Sequence, residues 1–373
     1  MSERIPDREV LRPLESLAYA LGCPQGSAVI KREFTDFRVD EELAFEPTGE
    51  GEHVFLQVRK TDASTLDVAK RIGSLTSAAQ ADIGYSGMKD RRGETTQWFS
   101  VKLPEAEQGS LEALSDDKLQ VLTTQRNARK LKIGSHARNR FRLRLRNCQG
   151  APAEYERRLQ AMSLQGVPNY FGAQRFGAQM SNLQQVSVLL RQVQSDAAAI
   201  KRGPRFRRGM LYSAARSYLF NQVLSARIER SNWAHYLEGD VMSLDGSGRL
   251  FGVSRAQPWD ETLVHRLAAL DIHPTGPLPG AISPKDKYVS TGKAADIERT
   301  TLKSEQWMVD GLKAFGLVAG RRPLRFAVRE LQWHWEDSAE GADEEKDLCL
   351  EFFLPRGAYA TSLLRELCHL REK

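Results

Sequence analysis

The chain has 373 residues, 41% of them hydrophobic and 27% charged, with a formal net charge of +6. This composition excludes a disordered chain, and no apolar run approaches the roughly 18 residues of a membrane span. The length exceeds one ordinary core, so two domains are expected.

The N-terminal stretch MSERIPDREVLRPLE is charged and lacks the apolar core of a secretory signal, so a cytoplasmic protein is expected. Cys23, Cys148, Cys349 and Cys368 are scattered, with no CxxC and no neighbouring His at ligand spacing, and support neither a disulfide framework nor a zinc site. There is no P-loop, HExxH, GxSxG or strand-borne GxGxxG. Nucleotide cofactors, ATP hydrolysis, zinc chemistry and serine hydrolysis therefore lack support, and the chemistry falls to ordinary side chains.

From Ser27 to Lys60 the sequence alternates like paired strands, IKREFTDFRVDEELAF and HVFLQVRK about a turn at PTGEGE. Ser64 to Thr76 predicts a helix capped at Thr65, with Leu66, Ala69, Ile72 and Leu75 at helical spacing. Next, in Ile83 to Val101, two β-prone runs flank a loop opened by Gly87 and closed by Gly93. Within it Asp90 stands between Lys89 and the pair Arg91 and Arg92. Neighbouring cations favour the ionised carboxylate that a nucleophile or charge stabiliser needs; a solvated hairpin turn is the competing reading.

The net charge is concentrated: Arg126 to Arg146 holds nine Lys or Arg and no Asp or Glu. Its end alternates strictly, so that in a strand Arg140, Arg142, Arg144 and Arg146 share one face at roughly 6 to 7 Å spacing while Phe141, Leu143 and Leu145 share the other. A nucleic-acid backbone could lie along such a row; a solvated edge strand protected by charge is the alternative.

Ala153 to Leu164 reads as a helix stopped by Gly166. Helical patterns follow at about 182–200 and 212–230, separated by the basic loop KRGPRFRRG, which offers Arg205, Arg207 and Arg208 as further phosphate contacts. After a Gly- and Pro-rich span (His273 to Ser283) comes a long helix near Ala294 to Phe315. LRFAVRELQWHWE and DLCLEFFLPRG then read as a hairpin with an acidic tip, and Tyr359 to Leu370 as an amphipathic helix. There is no internal repeat. The β-rich ends around a helical middle predict an α+β fold, with a domain of residues 1–165 and 313–373 interrupted by a mainly helical insertion of 166–312.

Seven stretches in order, IKREFTDFRVDEE, FEPTGEGEH, GMKDRRGETTQWFS, HARNRF, GVPNYFGAQRFG, LYSAARSYLFNQ and LPRGAYATSLLREL, resemble the TruD family of pseudouridine synthases. The resemblance runs from Pro24 nearly to the C-terminus. It implies a pseudouridine synthase catalytic fold, a mixed, mainly antiparallel sheet flanked by helices with a family-specific insertion. The implied activity is isomerisation of uridine to pseudouridine in tRNA, at position 13 of the D arm, without cofactor or metal and with no protein partner implied. By position Asp90 is the implied catalytic aspartate, preceded by Lys89 as in the family. Asn139 and Phe141 match the family's NxF motif, and Lys31 a lysine expected to pair with the carboxylate. Tyr359 stands where the family carries Phe, and Glu305 matches a family glutamate of open role. A base must leave its stack to be reached, and stacking on a ring such as Phe141 can return roughly 1 to 3 kcal/mol. The competing class is a non-catalytic tRNA-binding protein or RNA chaperone, which keeps the basic row and makes Asp90 incidental.

Overall fold

The structure, a computed structural model, describes residues 11–76, 78–104, 111–195, 205–253, 258–282, 288–338 and 346–371, without the side chains of 192–195 and 205–208. The chain forms two compact units: Pro24–Val167 with Phe326–Lys373, and Met1–Cys23 with Pro168–Arg325. The second junction thus lies beyond the expected residue 313, because Gly320–Pro323 is a strand paired with Ile272–Leu278 of the insertion. Residues preceding 24 join the insertion through backbone donors: Arg12 N–H bonds the Tyr218 hydroxyl at 2.8 Å and Ala18 N–H the Ser225 hydroxyl at 2.9 Å.

The first unit is built on a ten-stranded sheet. Its early strands are β1 (Ser27–Val29), β2 (Phe37–Leu43), β3 (His53–Thr61), β4 (Gly84–Tyr85), β5 (Glu94–Lys102), β6 (Leu119–Asn127) and β7 (His136–Gln149). The main path runs Arg329–Asp337, Lys346–Pro355, β7, β2, β5, β3, β6. Only β2 and β5 run parallel along it. The expected β2–β3 pairing does not occur, because β5 lies between them and pairs with both. The expected C-terminal hairpin is present, Arg329–Asp337 antiparallel to Lys346–Pro355, while most of its acidic tip lies outside the described residues. The final helix is shorter than expected, Ala360–Leu367, and the chain ends in a strand, His369–Arg371, parallel to β1.

One face of this sheet carries the core. Val54, Leu56 and Val58 of β3 with Phe99 and Val101 of β5 meet Val68, Ala69 and Ile72 of α1 (Thr65–Thr76), all fully buried. Each such side chain contributes roughly 1.5–3 kcal/mol on leaving water. Further along the same face lie Phe37 and Val39 of β2, Phe141, Leu143 and Leu145 of β7, and Leu350 and Phe352 across the ladder. At the far end α2 (Pro152–Gln165) packs Tyr155 edge-on against Trp335 with ring centroids 5.6 Å apart. It stops at Gly166, whose φ of 79° suits glycine.

The second unit is less uniformly helical than its sequence suggests. Helices Ser181–Ser195, Arg205–Glu229, Glu261–Ala268, Gly292–Thr301 and Gln306–Ala314 accompany a four-stranded sheet in the order Leu250–Gly252, Val241–Leu244, Ile272–Leu278, Gly320–Pro323. The first part of the Gly- and Pro-rich span is thus a central strand of that sheet, while Ser283 lies outside the described residues. The expected long helix near 294–315 is two helices, Gly292–Thr301 and Gln306–Ala314, with Glu305 at the N-terminus of the second.

Candidate active site

Asp90 sits in the loop between β4 and β5, which pair antiparallel through Gly84↔Ser100 and Tyr85↔Phe99. The loop is held at both ends. Gly134 N–H bonds Ser86 O at 2.6 Å and His136 N–H bonds the Ser86 hydroxyl at 3.0 Å, fixing its start to the head of β7. At its end Gly93 touches β2: an added Cβ would lie 2.7 Å from Phe37 O.

Between these points the loop is fastened to the core face. Lys89 N–H donates to the Thr65 hydroxyl at 3.0 Å, Thr65 donates to Gln97 Oε1 at 2.8 Å, and Gln97 Nε2 donates to Gly87 O at 3.1 Å. The expected capping role of Thr65 belongs instead to Ser64, whose hydroxyl accepts from Asp67 N–H at 3.1 Å, leaving Thr65 to face the loop. The Lys89 ammonium turns into the protein and pairs with Glu41, with side-chain exposures of 8% and 0%. Beneath Asp90 lies Lys60, fully buried, donating 2.8 Å to Asp90 O and 2.7 Å to Ala63 O.

The Asp90 carboxylate, 42% exposed, faces outward and meets Lys31 Nζ at 3.2 Å. Lys31 has a left-handed backbone, φ 56°, which a non-glycine residue holds only when its surroundings enforce it. Its ammonium lies 4.0 Å above the Phe37 ring. Phe37 is edge-on to Phe141 at 6.2 Å, and Phe141 stacks on Phe352 at 5.4 Å with an interplanar angle of 14°. Phe141 is only 8% exposed, so it floors the site as core and offers little open ring surface. Asn139 shares its face; its Oδ1 is buried and has no hydrogen-bond partner among the described residues. Tyr359 caps the final helix, its carbonyl accepting from Ser362 N–H at 3.0 Å. The turn before it reaches the loop anchor, Arg356 Nη1 donating 2.6 Å to Gly134 O.

Two groups near the loop have displaced titrations. Burial lowers the Lys60 ammonium to about 8, opposed by the negative charge of Asp90. Burial, with the charges of Lys89 and Arg356, lowers His136 to about 4, so at neutral pH it is an uncharged ring 2.6 Å from the Ser86 hydroxyl.

The arginine row lies elsewhere. Because β7 alternates without a bulge from Arg138 to Leu145, Arg140, Arg142 and Arg144 project from the face opposite Asn139 and Phe141. Each is matched by carboxylates: Arg140 by Glu351, Arg142 by Asp40, Arg144 by Asp347 and Glu336, and Arg146 by Asp36. The row expected to carry a phosphate backbone thus lies on the face opposite Phe141, as alternation predicts, with its guanidinium groups already paired to carboxylates. On that back face His334, Glu336 and Cys349 bring one ligand atom each within 4.8 Å of one another, a proximity created by the ladder pairing His334↔Cys349. Arg205, Arg207 and Arg208 fall on the opening turns of a helix rather than in a loop, and their side chains lie outside the described residues.

Sequence reasoning missed Glu41 and Lys60. Both had a signal: each ends a period-2 apolar run (Phe37, Val39, Glu41 and Val54, Leu56, Val58, Lys60), which places a charge on a buried face.

A mixed sheet thus presents one aspartate, ion-paired to a lysine above an aromatic floor. The family pattern described as tRNA pseudouridine synthase D (TruD) matches residues 14–199 and 183–367, and the chain belongs to that family. Among curated relatives, tRNA pseudouridine synthase D of Xanthomonas axonopodis pv. citri is 41% identical over 94% of both chains. That of Methylococcus capsulatus is 44% identical over 89% of this chain and 88% of its own. The fold is shared with a crystal structure of a Methanosarcina mazei protein described as TruD, at a TM-score of 0.71 and 21% identity, covering 94% of this chain and 95% of that one.

Proposed function

We propose that the protein isomerises uridine to pseudouridine in tRNA, with Asp90 as the catalytic group and position 13 of the D arm as the target. The observation that carries the reading is the outward Asp90 carboxylate, held from behind at its main chain and ion-paired in front to Lys31 at 3.2 Å. Family membership supports the tRNA substrate and gives the non-catalytic chaperone alternative no support.

The reaction breaks the N1–C1′ bond, joins C5 to C1′, moves a proton from C5 and returns one to N1, with no redox change. Lys31 orients the Asp90 carboxylate by direct charge. Asp90 as an anion suits attack at C1′, removal of the C2′ proton or addition to the ring; Phe141 takes no proton. The buried Asn139 Oδ1 is a preformed acceptor for the N3–H of a flipped uracil, a contact that cytosine, lacking that hydrogen, cannot make.

The test is a tRNA transcript tritiated at C5 of uridine. Wild type should release tritium without chain cleavage, and Asp90→Asn should release none while binding tRNA as tightly. Release undiminished in Asp90→Asn would remove it from the mechanism. Release from a transcript lacking U13 would refute the position.

A further inference from the structure

We propose that Lys60 is a positioning residue for the reaction: its ammonium, enclosed beneath the loop, fixes the main chain of Asp90 so that the carboxylate is presented to Lys31 and the substrate. The proposal rests on the catalytic reading of Asp90. Lys60 continues the inward row of Val54, Leu56 and Val58 and is fully buried. Lysine has three donors, and two are engaged by carbonyls of different segments: Ala63 O at 2.7 Å, just before α1, and Asp90 O at 2.8 Å. One side chain therefore ties the entry of α1 to the catalytic loop. An apolar residue of that length would fill the space but leave the Ala63 and Asp90 carbonyls without this donor.

The arrangement distributes charge as well as geometry. Lys89 is neutralised by Glu41 and Arg91 paired with Asp62, while Lys31 acts at the Asp90 carboxylate and Lys60 at its carbonyl. The charged groups felt by Lys60 are Asp90 and Lys89 on the loop and Asp67 on α1, the two acids favouring and the lysine opposing its charged form. Burial outweighs them and brings Lys60 to about 8. As pH rises through that value the ammonium becomes an amine, both bonds weaken, and the loop loosens.

The experiment compares wild type, Lys60→Met and Lys60→Gln in single-turnover tritium release, tRNA binding and thermal melting from pH 6.5 to 9.5. Lys60→Met should stay folded, melting below wild type because two carbonyls lose their donor, and bind tRNA within twofold. It should also react roughly 100-fold more slowly, the cost of a displacement of about 1 Å at the reacting group. Lys60→Gln, which keeps a neutral donor, should recover part of that rate. The wild-type rate should fall above pH about 8, and the limb should vanish in Lys60→Met. A Lys60→Met rate within twofold of wild type overturns the proposal, as does an alkaline limb retained in that variant. Should Lys60→Met not fold, a wild-type rate flat from pH 7 to 9 overturns it instead. Wild type inert on tRNA would strike the catalytic reading itself, a result distinguishable from any of these.

Discussion

The side chain of Lys89 turns away from Asp90, its neighbour in sequence, and into a buried ion pair with Glu41. The two residues of the KD pair thus do opposite work: one binds the loop to the sheet, the other faces outward to Lys31. Glu41 also accepts from Trp98 N–H at 3.1 Å, so its carboxylate joins β2, β5 and the loop.

Breaking that pair from one side leaves a buried charge without its counterion. Glu41→Gln should lose roughly 3–5 kcal/mol in urea unfolding. The double variant Glu41→Leu with Lys89→Met should recover most of it, since an apolar pair of similar volume removes both charges. A loss below 1 kcal/mol in Glu41→Gln would show that the pair does not hold the loop.

The salt dependence of tRNA affinity separates the two sets of cations. Arg92, Lys132 and Arg356 are exposed and in no ion pair among the described residues, and Arg356 bonds the Gly134 anchor. Their joint replacement by Ala should flatten the slope of log affinity against log salt by about two to three units, roughly one for each phosphate that is no longer neutralised. Arg142 and Arg144, already matched by carboxylates, should leave the slope unchanged when replaced by Ala. A slope that responds only to Arg142 and Arg144 would return the RNA path to the back of the sheet.

Asn139→Leu should keep or raise the melting temperature, because Oδ1 has no partner to lose. Activity should drop about 10- to 100-fold, the effect of one missing directional contact to the base. Melting curves and steady-state turnover on the same preparations check both; a stable variant of full activity removes Asn139 from base recognition.

His136 predicts a pH dependence of stability. Its titration in the folded protein is lowered to about 4, whereas in the unfolded chain it takes a proton near 6.5. The unfolded state therefore binds the proton first, and stability is lost as pH falls from about 6.5 to about 4, levelling below. Calorimetry should show a shallower decline over that window in His136→Asn than in wild type; equal slopes would mean that His136 is not held neutral.

The loop that carries Asp90 between β4 and β5 was legible because an acid among cations between two β-prone runs is a local pattern. So was alternation in β7, which correctly separates Arg140 from Phe141. Alternation, however, states only which residues share a face. Which face holds the loop is decided by the sheet order, and β5 enters between β2 and β3, a long-range choice that neighbouring residues do not encode. The strand Ile272–Leu278 was hidden for another reason. Its sequence IHPTGPL reads as a breaker, yet the prolines are accommodated, Pro274 O accepting from Leu324 N–H at 2.8 Å while its missing donor is not needed. Lys60 and Glu41 were readable as charges on an apolar period, but the burial that makes them matter comes from α1 and the loop closing over them.

The sheet of the first unit is interrupted in the chain, and this bears on how it is made. On the ribosome β7 is complete at Gln149, but the strand that covers its second edge begins at Lys346. Roughly 200 residues intervene, about 10 to 40 s of translation at roughly 5–20 residues per second. For that interval β7 carries an open edge beside Phe141, Leu143 and Leu145, the kind of apolar ribbon on which nascent chains aggregate. Arg138, Arg142 and Arg146 meet Glu42, Asp40 and Asp36, which precede β7 in the chain, whereas Arg140 and Arg144 keep their charge until Glu351 and Asp347 arrive with the late strand. Those two arginines set a repulsive charge on the nascent edge for as long as it is uncovered.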